Sequence, residues 1–154
     1  MELDPRLLLP RATVADRDDL FAHVAGLLHG LGCVQDTYHE ALRAREAVFP
    51  TGLAVPAGGV ALPHTDASQV RRDRLAVVTL TEPIPFAPMG GDADDEPVAV
   101  TTVLFLVLSD PSRQVDALSR IVRAIQTDDF VPSLHRAETA AELHTILSGR
   151  LGPL

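Results

Sequence analysis

The sequence predicts an α/β protein, a three-layer α/β/α sandwich on a small mixed β-sheet, with the element order β-α-α-β-β-β-α-α-α. Two observations predict this class. Residues 74–80 (RLAVVTL) and 97–108 (PVAVTTVLFLVL) are almost continuously apolar, as in strands that are covered on both faces. The segments on either side of these strands repeat apolar residues with the 3.6-residue period of helices, which supplies the two covering layers.

The two other predicted strands are shorter, and each ends at a proline. They are residues 7–10 (LLLP) and 58–63 (GGVALP). Because proline has no backbone N–H, it cannot continue the hydrogen-bond ladder of a sheet. We therefore expect four strands, the second of which ends at Pro63.

Five helices are predicted from residues that can cap a first turn and from the apolar stripes that follow them. Two such residues, Thr37 and Thr139, are followed three residues later by glutamate, which is the spacing of a capping box. The first helix is expected to end near Gly30 and the second near Val48. The residues from which the five helices are expected to start are Asp16, Thr37, Ser109 or Asp110, Asp128 and Thr139.

Length, charge and cysteine content exclude several classes of protein. The 154 residues suit a single domain, residues 1–154. The net charge is −8 and all 13 basic residues are arginine, which argues against a nucleic-acid partner. A single cysteine, Cys33, excludes an internal disulfide framework, and we expect it to be a small buried apolar residue.

Neither a membrane span nor a secretory signal is predicted. The longest dense apolar stretch, residues 98–108, is shorter than the ~20 residues that a bilayer span needs. The first residues are acidic where a secretory signal is basic, and no small-residue cleavage pattern follows them. We therefore expect a cytoplasmic protein without direct membrane insertion.

A histidine, His64, stands directly after Pro63 at the end of a predicted strand. The proline ends the ladder and fixes the backbone from which the histidine projects. An imidazole has an unperturbed pKa of about 6.5, so it is largely neutral and nucleophilic at pH 7. Its position alone is consistent with a phosphoryl acceptor, a general base, a metal ligand or a hydrogen-bonded loop residue.

Two polar side chains narrow these alternatives. Arg45 lies on the second helix, offset from its apolar positions, and the Thr-Gly turn at Thr51 follows just upstream of the His64 strand. Gln114 lies on the apolar stripe of the third helix near its N-terminus, where a buried amide needs a partner and where anions are favoured. A neutral nucleophile, a cation and an amide are the groups that phosphoryl transfer through a phosphohistidine requires.

Four segments occur in a fixed order along the chain: FPTGL at 49–53, GVALPHTD at 59–66, PFAPMGG at 85–91 and SRQVDALSRIV at 112–122. They resemble the enzyme IIA (EIIA) domain of the fructose/mannitol type, EIIA type 2, of the bacterial phosphoenolpyruvate-dependent sugar phosphotransferase system (PTS). The resemblance covers about residues 8–148. Within this family, the PTGL and PHTD forms together with Gln114 look most like the galactitol branch.

The resemblance implies a phosphotransferase with a phosphohistidine intermediate. His64 would accept the phosphoryl group from the phosphocarrier protein HPr and pass it to a cysteine of a IIB protein or domain, which works with the membrane transporter IIC. Arg45 matches the arginine of the family's Arg-Glu pair, here followed by Glu46. Members of the mannitol and fructose type usually have a second histidine where this chain has Gln114, which can hydrogen-bond the imidazole or the phosphoryl group but cannot change charge. No metal and no other cofactor is implied.

Further residues are assigned to the site because they are close in sequence or match the family. Thr51, Thr65 and Asp66 are expected beside the phosphoryl group, with Asp66 either orienting the His64 ring or capping the next turn. A docking rim for HPr is expected at three further residues, Leu53, Val55 and Pro56.

Other interpretations stay open at this stage. The same fold serves nitrogen-type regulatory modules, which signal through their phosphorylation state by binding partner proteins. A hydrolase that uses His64 as a general base is a weaker alternative, because no nucleophile or oxyanion motif is recognisable. The arginines of residues 71–74 are either a solvated strand end or a surface that steers an acidic partner, and the acidic residues of 92–96 either keep a loop soluble or dock a partner.

Overall fold

A mixed five-stranded sheet forms the centre of the fold in the computed structural model, which describes residues 1–92 and 94–153. In these residues the strand order is β1-β4-β5-β3-β2. β1 pairs in parallel with β4 and β3 in parallel with β5, whereas β4 with β5 and β2 with β3 are antiparallel. The strands are β1 (Leu8–Ala12), β2 (Gly52–Leu53), β3 (Gly59–Ala61), β4 (Arg74–Phe86) and β5 (Val98–Val107).

Helices cover both faces of this sheet. α1 and α2 pack on one face, and α3, α4 and α5 pack on the other. Short 3₁₀ turns at Pro5–Leu7 and Ala67–Gln69 complete the described elements. The predicted α/β sandwich with a mixed sheet is therefore confirmed. The helices are α1 (Arg17–Gly30), α2 (Tyr38–Val48), α3 (Pro111–Ile125), α4 (Phe130–Arg136) and α5 (Ala140–Leu151).

The long apolar strand β5 supplies both cores. Because successive side chains of a strand point to opposite faces, Val103 and Phe105 pack under α1 and α2, while Leu104 and Leu106 pack under the other three helices. All four side chains are buried. This two-sided burial explains why the strand reads as a continuous apolar run rather than as an alternating pattern.

The structure differs from the predicted element order by one additional strand. β2 has only two residues, Gly52 and Leu53, and a segment so short carries no periodicity that a sequence pattern could reveal. Gly52 lies so close to the backbone that a Cβ atom there would be 2.7 Å from the Ala87 carbonyl oxygen. The strand β4 is also longer than predicted, because it resumes its pairing with β5 at Ile84 after an irregularity that follows Thr79.

The helix starts follow the prediction with two exceptions, of which one is α4, whose N-cap is Asp129 rather than Asp128. Asp16, Asp110 and Thr139 cap α1, α3 and α5, and Thr139 forms the complete capping box. The box predicted at Thr37 is wrong, because Thr37 makes no capping hydrogen bond. Its hydroxyl instead donates to the Gln69 side-chain oxygen at 2.8 Å, a contact between segments that are far apart in sequence.

The topology brings the segment that follows β3 and the start of α3 to the same end of the sheet. β3 and β5 run in parallel and end side by side, and the chain beyond β3 continues this pairing through a bridge between His64 and Leu106. Helix α3 begins at Pro111, shortly after β5 ends. In the part of the chain that the structure describes, no helix is both long and apolar enough to traverse a bilayer.

Candidate functional site

His64 is held by the backbone of its own strand end. Its Nδ1 atom lies 2.8 Å from the carbonyl oxygen of Leu62. A carbonyl oxygen can only accept a hydrogen bond, so Nδ1 carries the ring proton. In the neutral imidazole the other nitrogen, Nε2, then has the free lone pair. The His64 ring is half-buried. The Leu106 N–H donates to the Pro63 carbonyl at 3.1 Å, which pairs the segment before His64 with β5.

A pocket of about 170 Å³ opens beside this imidazole. It combines the cation of Arg45 and the amide of Gln114 with an otherwise apolar wall. The structure thus brings His64, Arg45 and Gln114 together at one pocket, although they lie on three separate elements. The full lining is Arg45, His64, Leu106, Gln114, Val115 and Leu118.

The guanidinium of Arg45 is oriented by two neighbours. Its Nη1 donates to the Asp66 carboxylate at 3.1 Å, and its central carbon lies 4.6 Å from the centre of the Phe49 ring. The Nε atom of Arg45 is buried and has no hydrogen-bond partner among the described residues. Stacking and a planar fork of donors are the properties that suit arginine, more than lysine, to phosphate binding.

The Gln114 amide holds α3 to the loop that follows His64. Its nitrogen donates to the Thr65 carbonyl at 3.2 Å and to the Leu108 carbonyl at 3.0 Å. Both amide protons are therefore engaged, and the remaining oxygen of the side chain is only an acceptor. The hydrogen bond from Gln114 to the imidazole or the phosphoryl group stays a prediction, and a bond from the amide nitrogen to a phosphoryl oxygen would replace one of these two contacts.

Thr65 and Asp66 follow His64 but differ in exposure. Thr65 is buried, and its hydroxyl donates to the Asp66 carbonyl at 3.2 Å. Asp66 is exposed and forms the ion pair with Arg45. Its side chain makes no capping hydrogen bond to the turn Ala67–Gln69, so that alternative is wrong.

The three residues predicted for the docking rim differ in exposure. Leu53 and Val55 are half-buried and pack against the core beneath α3, α4 and α5, whereas Pro56 is exposed. Four large apolar side chains of the described residues are open to solvent: Met89, 40% exposed, follows β4, and the other three come from the end of α2 and from α3. We call these three the apolar rim: Val48, Phe49 and Val115, which are 68%, 58% and 68% exposed.

Glu46 is a buried carboxylate that was not predicted as part of the site; it follows Arg45 on α2 but does not line the pocket. Glu46 is 2% exposed and accepts hydrogen bonds from the Thr51 backbone N–H at 2.9 Å and from the Thr51 hydroxyl at 3.0 and 3.1 Å. Thr51, which was predicted beside the phosphoryl group, is itself buried and is not part of the pocket lining. The sequence contains one indication that Glu46 is buried: it follows the buried Leu42 by four residues, so the two side chains lie on one face of the helix.

Burial of Glu46 makes stability depend on pH. Burial raises the pKa of this carboxyl above its ordinary value of 4.5, and the hydrogen bonds from Thr51 offset part of that rise. Between the ordinary and the raised pKa the native state binds more protons than the unfolded state. We therefore expect this contribution to the free energy of unfolding to be full below pH 4.5 and to be lost as pH rises through the raised pKa.

Chemical denaturation of the wild type and of Glu46→Gln between pH 4 and pH 8 measures this effect. The wild type should lose stability relative to the variant as pH rises, because glutamine does not titrate. A difference that is constant over the whole range would contradict the raised pKa of Glu46.

The other histidines lie away from this pocket. His135 Nε2 is 2.9 Å from the hydroxyls of both Thr101 and Thr102, and His29 pairs with Asp36 at 2.7 Å. Within residues 1–92 and 94–153 no group of three or more His, Cys, Asp or Glu side chains is arranged to hold a metal ion.

Comparison with known proteins decides the family. The family model described as "Phosphoenolpyruvate-dependent sugar phosphotransferase system, EIIA 2" matches residues 2–149. The chain belongs to this EIIA family. The resemblance inferred from the sequence is confirmed, and the chain is a phosphotransferase component of the PTS.

Individual relatives agree with this EIIA assignment. The galactitol-specific EIIA component of the PTS from Escherichia coli K12 is 31% identical over 119 residues, which are 77% of each chain. The mannitol enzyme IIA in a complex with phosphorylated enzyme IIB from Escherichia coli has a TM-score of 0.76 at 18% identity, covering 97% of this chain and 99% of that one. The nitrogen regulatory protein IIA-Ntr from Neisseria meningitidis has a TM-score of 0.72 at 24% identity, covering 94% and 95%. These two structural likenesses establish the fold alone.

Proposed function

We propose that His64 is the phosphoryl carrier of this EIIA component, accepting the group from phospho-HPr and passing it to a cysteine of a IIB protein or domain. The observation that carries the proposal is the 2.8 Å contact between His64 Nδ1 and the Leu62 carbonyl, which leaves Nε2 as the nucleophile in a pocket that also contains Arg45. The chain acts as one cytoplasmic domain, residues 1–154, alongside a membrane IIC transporter, and uses no metal or other cofactor.

The first transfer needs only the free lone pair of His64. Nε2 attacks the phosphorus of the donor, the Nε2–P bond forms, and the donor's bond to phosphorus breaks with its electron pair returning to the donor. The transition state of phosphoryl transfer needs little covalent chemistry from the protein. The protein contributes by positioning the reacting groups and by stabilising their charge. The guanidinium of Arg45 supplies positive charge to the oxygens of the transferred group.

The Leu62 carbonyl also assists the second transfer. By accepting a hydrogen bond from Nδ1–H it keeps the ring protonated at that nitrogen while Nε2 carries the phosphoryl group. When a IIB thiolate attacks the phosphorus, the S–P bond forms and the Nε2–P bond breaks. The imidazole then leaves as the neutral Nδ1–H tautomer, which is a better leaving group than an imidazolate anion.

Galactitol or a related sugar alcohol is the proposed substrate of the transport system. The support is the 31% identity to the galactitol-specific EIIA component of Escherichia coli K12 together with the PTGL, PHTD and Gln114 pattern. The sugar itself is bound by IIB and IIC, so this chain meets only protein partners.

Reconstitution tests the proposal directly. The chain is incubated with radiolabelled phosphoenolpyruvate, enzyme I and HPr, and then with the cognate IIB protein. We expect an acid-labile, base-stable phosphate that appears on the chain and then moves to IIB. Labelling without onward transfer, together with capture of a kinase or channel, would favour the nitrogen-type regulatory alternative.

The apolar rim is the proposed docking surface for HPr and IIB. Val115 lines the pocket and is 68% exposed, so Val115→Glu should have little effect on folding. A charge placed in the centre of a docking surface should slow transfer from HPr by roughly tenfold, mainly through a higher KM.

The matched control for this prediction is Ala141→Glu. Ala141 is exposed on α5. This helix packs beside β1, an outer strand that β4 and β5 separate from β3, after which His64 lies. Steady-state transfer at varied HPr concentration separates KM from kcat. Equal KM values for the two variants would exclude the rim as the docking surface.

A further inference from the structure

A chain of hydrogen bonds links the buried carboxylate of Glu46 to the imidazole of His64. The Thr51 hydroxyl donates to Glu46 at 3.0 Å, and the Leu62 N–H donates to that same hydroxyl oxygen at 3.1 Å. The Leu62 carbonyl in turn accepts the Nδ1–H of His64 at 2.8 Å. The mechanism described above uses the last of these contacts and leaves the first two without a role.

The Glu46 carboxylate determines which group donates and which accepts in this series of hydrogen bonds. A hydroxyl has a single proton, so the Thr51 hydroxyl can donate to one neighbour while it accepts from another. Glu46 is an acceptor and attracts that proton, which leaves the Thr51 oxygen free to receive the Leu62 N–H. Leu62 is thereby held on both sides, through its N–H to Thr51 and through its carbonyl to His64.

Burial makes this arrangement rigid. Glu46, Thr51 and Leu62 are 2%, 3% and 0% exposed. Water therefore cannot replace any of the three groups, and an unpaired donor or acceptor at this depth would be costly. The same helix that carries Glu46 also carries the neighbouring Arg45 into the pocket, so α2 contacts both the imidazole support and the phosphoryl site.

We infer that Glu46 and Thr51 are positioning residues for phosphoryl transfer: they fix the Leu62 backbone so that its carbonyl selects the Nδ1–H tautomer of His64. The inference rests on the proposed function of His64 and adds two residues that touch neither the phosphoryl group nor the imidazole. Their contribution is to keep the ring proton on Nδ1 in both the resting and the phosphorylated state, which reserves Nε2 for the phosphoryl group.

The test compares variants at two buried threonines. Thr51→Val removes the hydroxyl with little change in shape, and Thr51→Ser retains it. The control is Thr102→Val, because Thr102 is 0% exposed and its hydroxyl contacts His135, away from the pocket. Two-bond proton–nitrogen NMR spectra of ¹⁵N-histidine-labelled protein report the tautomer of His64, with its signals assigned from His64→Gln.

We expect Thr51→Val to lower the population of the Nδ1–H tautomer and to slow acceptance from HPr by roughly tenfold or more, since small displacements of a reacting group have large effects. Thr51→Ser should restore both quantities to near the wild-type values. Glu46→Gln should change both in the same direction by less, because the amide oxygen still accepts from Thr51. Thr102→Val should change neither, although it also removes a buried hydroxyl.

An unchanged tautomer in Thr51→Val, or an equal slowing in Thr102→Val, would overturn the inference. A Glu46→Gln protein with wild-type tautomer and rate would remove Glu46 from it. The tautomer is measured on the unphosphorylated chain, so it reports on positioning even if no phosphoryl group is ever accepted. Absence of labelling in the wild type would instead refute the proposed function.

Discussion

His64→Gln is expected to accept no phosphoryl group from phospho-HPr, while the wild type is labelled stoichiometrically. Glutamine keeps a side chain of similar reach, and its amide nitrogen has no nucleophilic lone pair comparable to that of Nε2. Loss of the nucleophile of a covalent intermediate lowers the rate by at least about a thousandfold. The labelling assay with enzyme I, HPr and radiolabelled phosphoenolpyruvate measures this loss.

The control for His64 is His144→Gln. His144 is exposed on α5 and does not line the pocket, so its replacement should leave labelling unchanged. Circular dichroism and thermal unfolding of both variants check that the fold is intact. Residual stoichiometric labelling of a folded His64→Gln protein would place the phosphoryl group on another residue.

Arg45→Gln is expected to slow phosphoryl acceptance by about 10²- to 10³-fold, the range found when one preorganised donor to a developing charge is removed. Arg45 is the cation in the lining of the pocket, and its orientation is set by Asp66 and Phe49. Arg45→Lys should give an intermediate rate, because lysine keeps the charge but has neither the planar fork nor the stacking face.

Arg43→Gln is the matched control for Arg45. It removes the same charge from the same helix, but Arg43 points away from the pocket lining and pairs with Asp18 at 3.3 Å. Single-turnover transfer from HPr separates the chemical step from docking. An Arg45→Gln rate within about twofold of the Arg43→Gln rate would exclude the electrostatic role.

The sequence predicted the scaffold and the location of His64 well, because both depend on local features. Long apolar strands and helix caps are visible in short windows. The expectation that a proline ends its strand is less accurate, because β1 continues past Pro10 to Ala12 and the pairing with β5 resumes at His64 after β3 ends at Ala61. The family resemblance, with its ordered segments, then gave the chemistry. The capping box predicted from the local pattern at Thr37 is wrong, because the Thr37 hydroxyl donates to Gln69, a residue that is distant in sequence.

The parts of the site that the sequence did not predict depend on long-range contacts. The burial of Glu46 and Thr51 follows from β2, a two-residue strand whose pairing with β3 has no sequence pattern. Which apolar residues surround the pocket depends on how elements that are distant in sequence, such as α2 and α3, come together there. For this reason the exposed side chains are those of Phe49 and Val115, whereas Leu53 is partly covered by the core.

In the proposed phosphorylated state, Nε2 of His64 carries the phosphoryl group while Nδ1 keeps its proton and donates a hydrogen bond to the Leu62 carbonyl. NMR of the phosphorylated, ¹⁵N-histidine-labelled protein tests it most directly, through the one-bond coupling between phosphorus and nitrogen. We expect that coupling at Nε2 of His64, with a proton retained on Nδ1. Coupling at Nδ1, or on any other histidine, would contradict it.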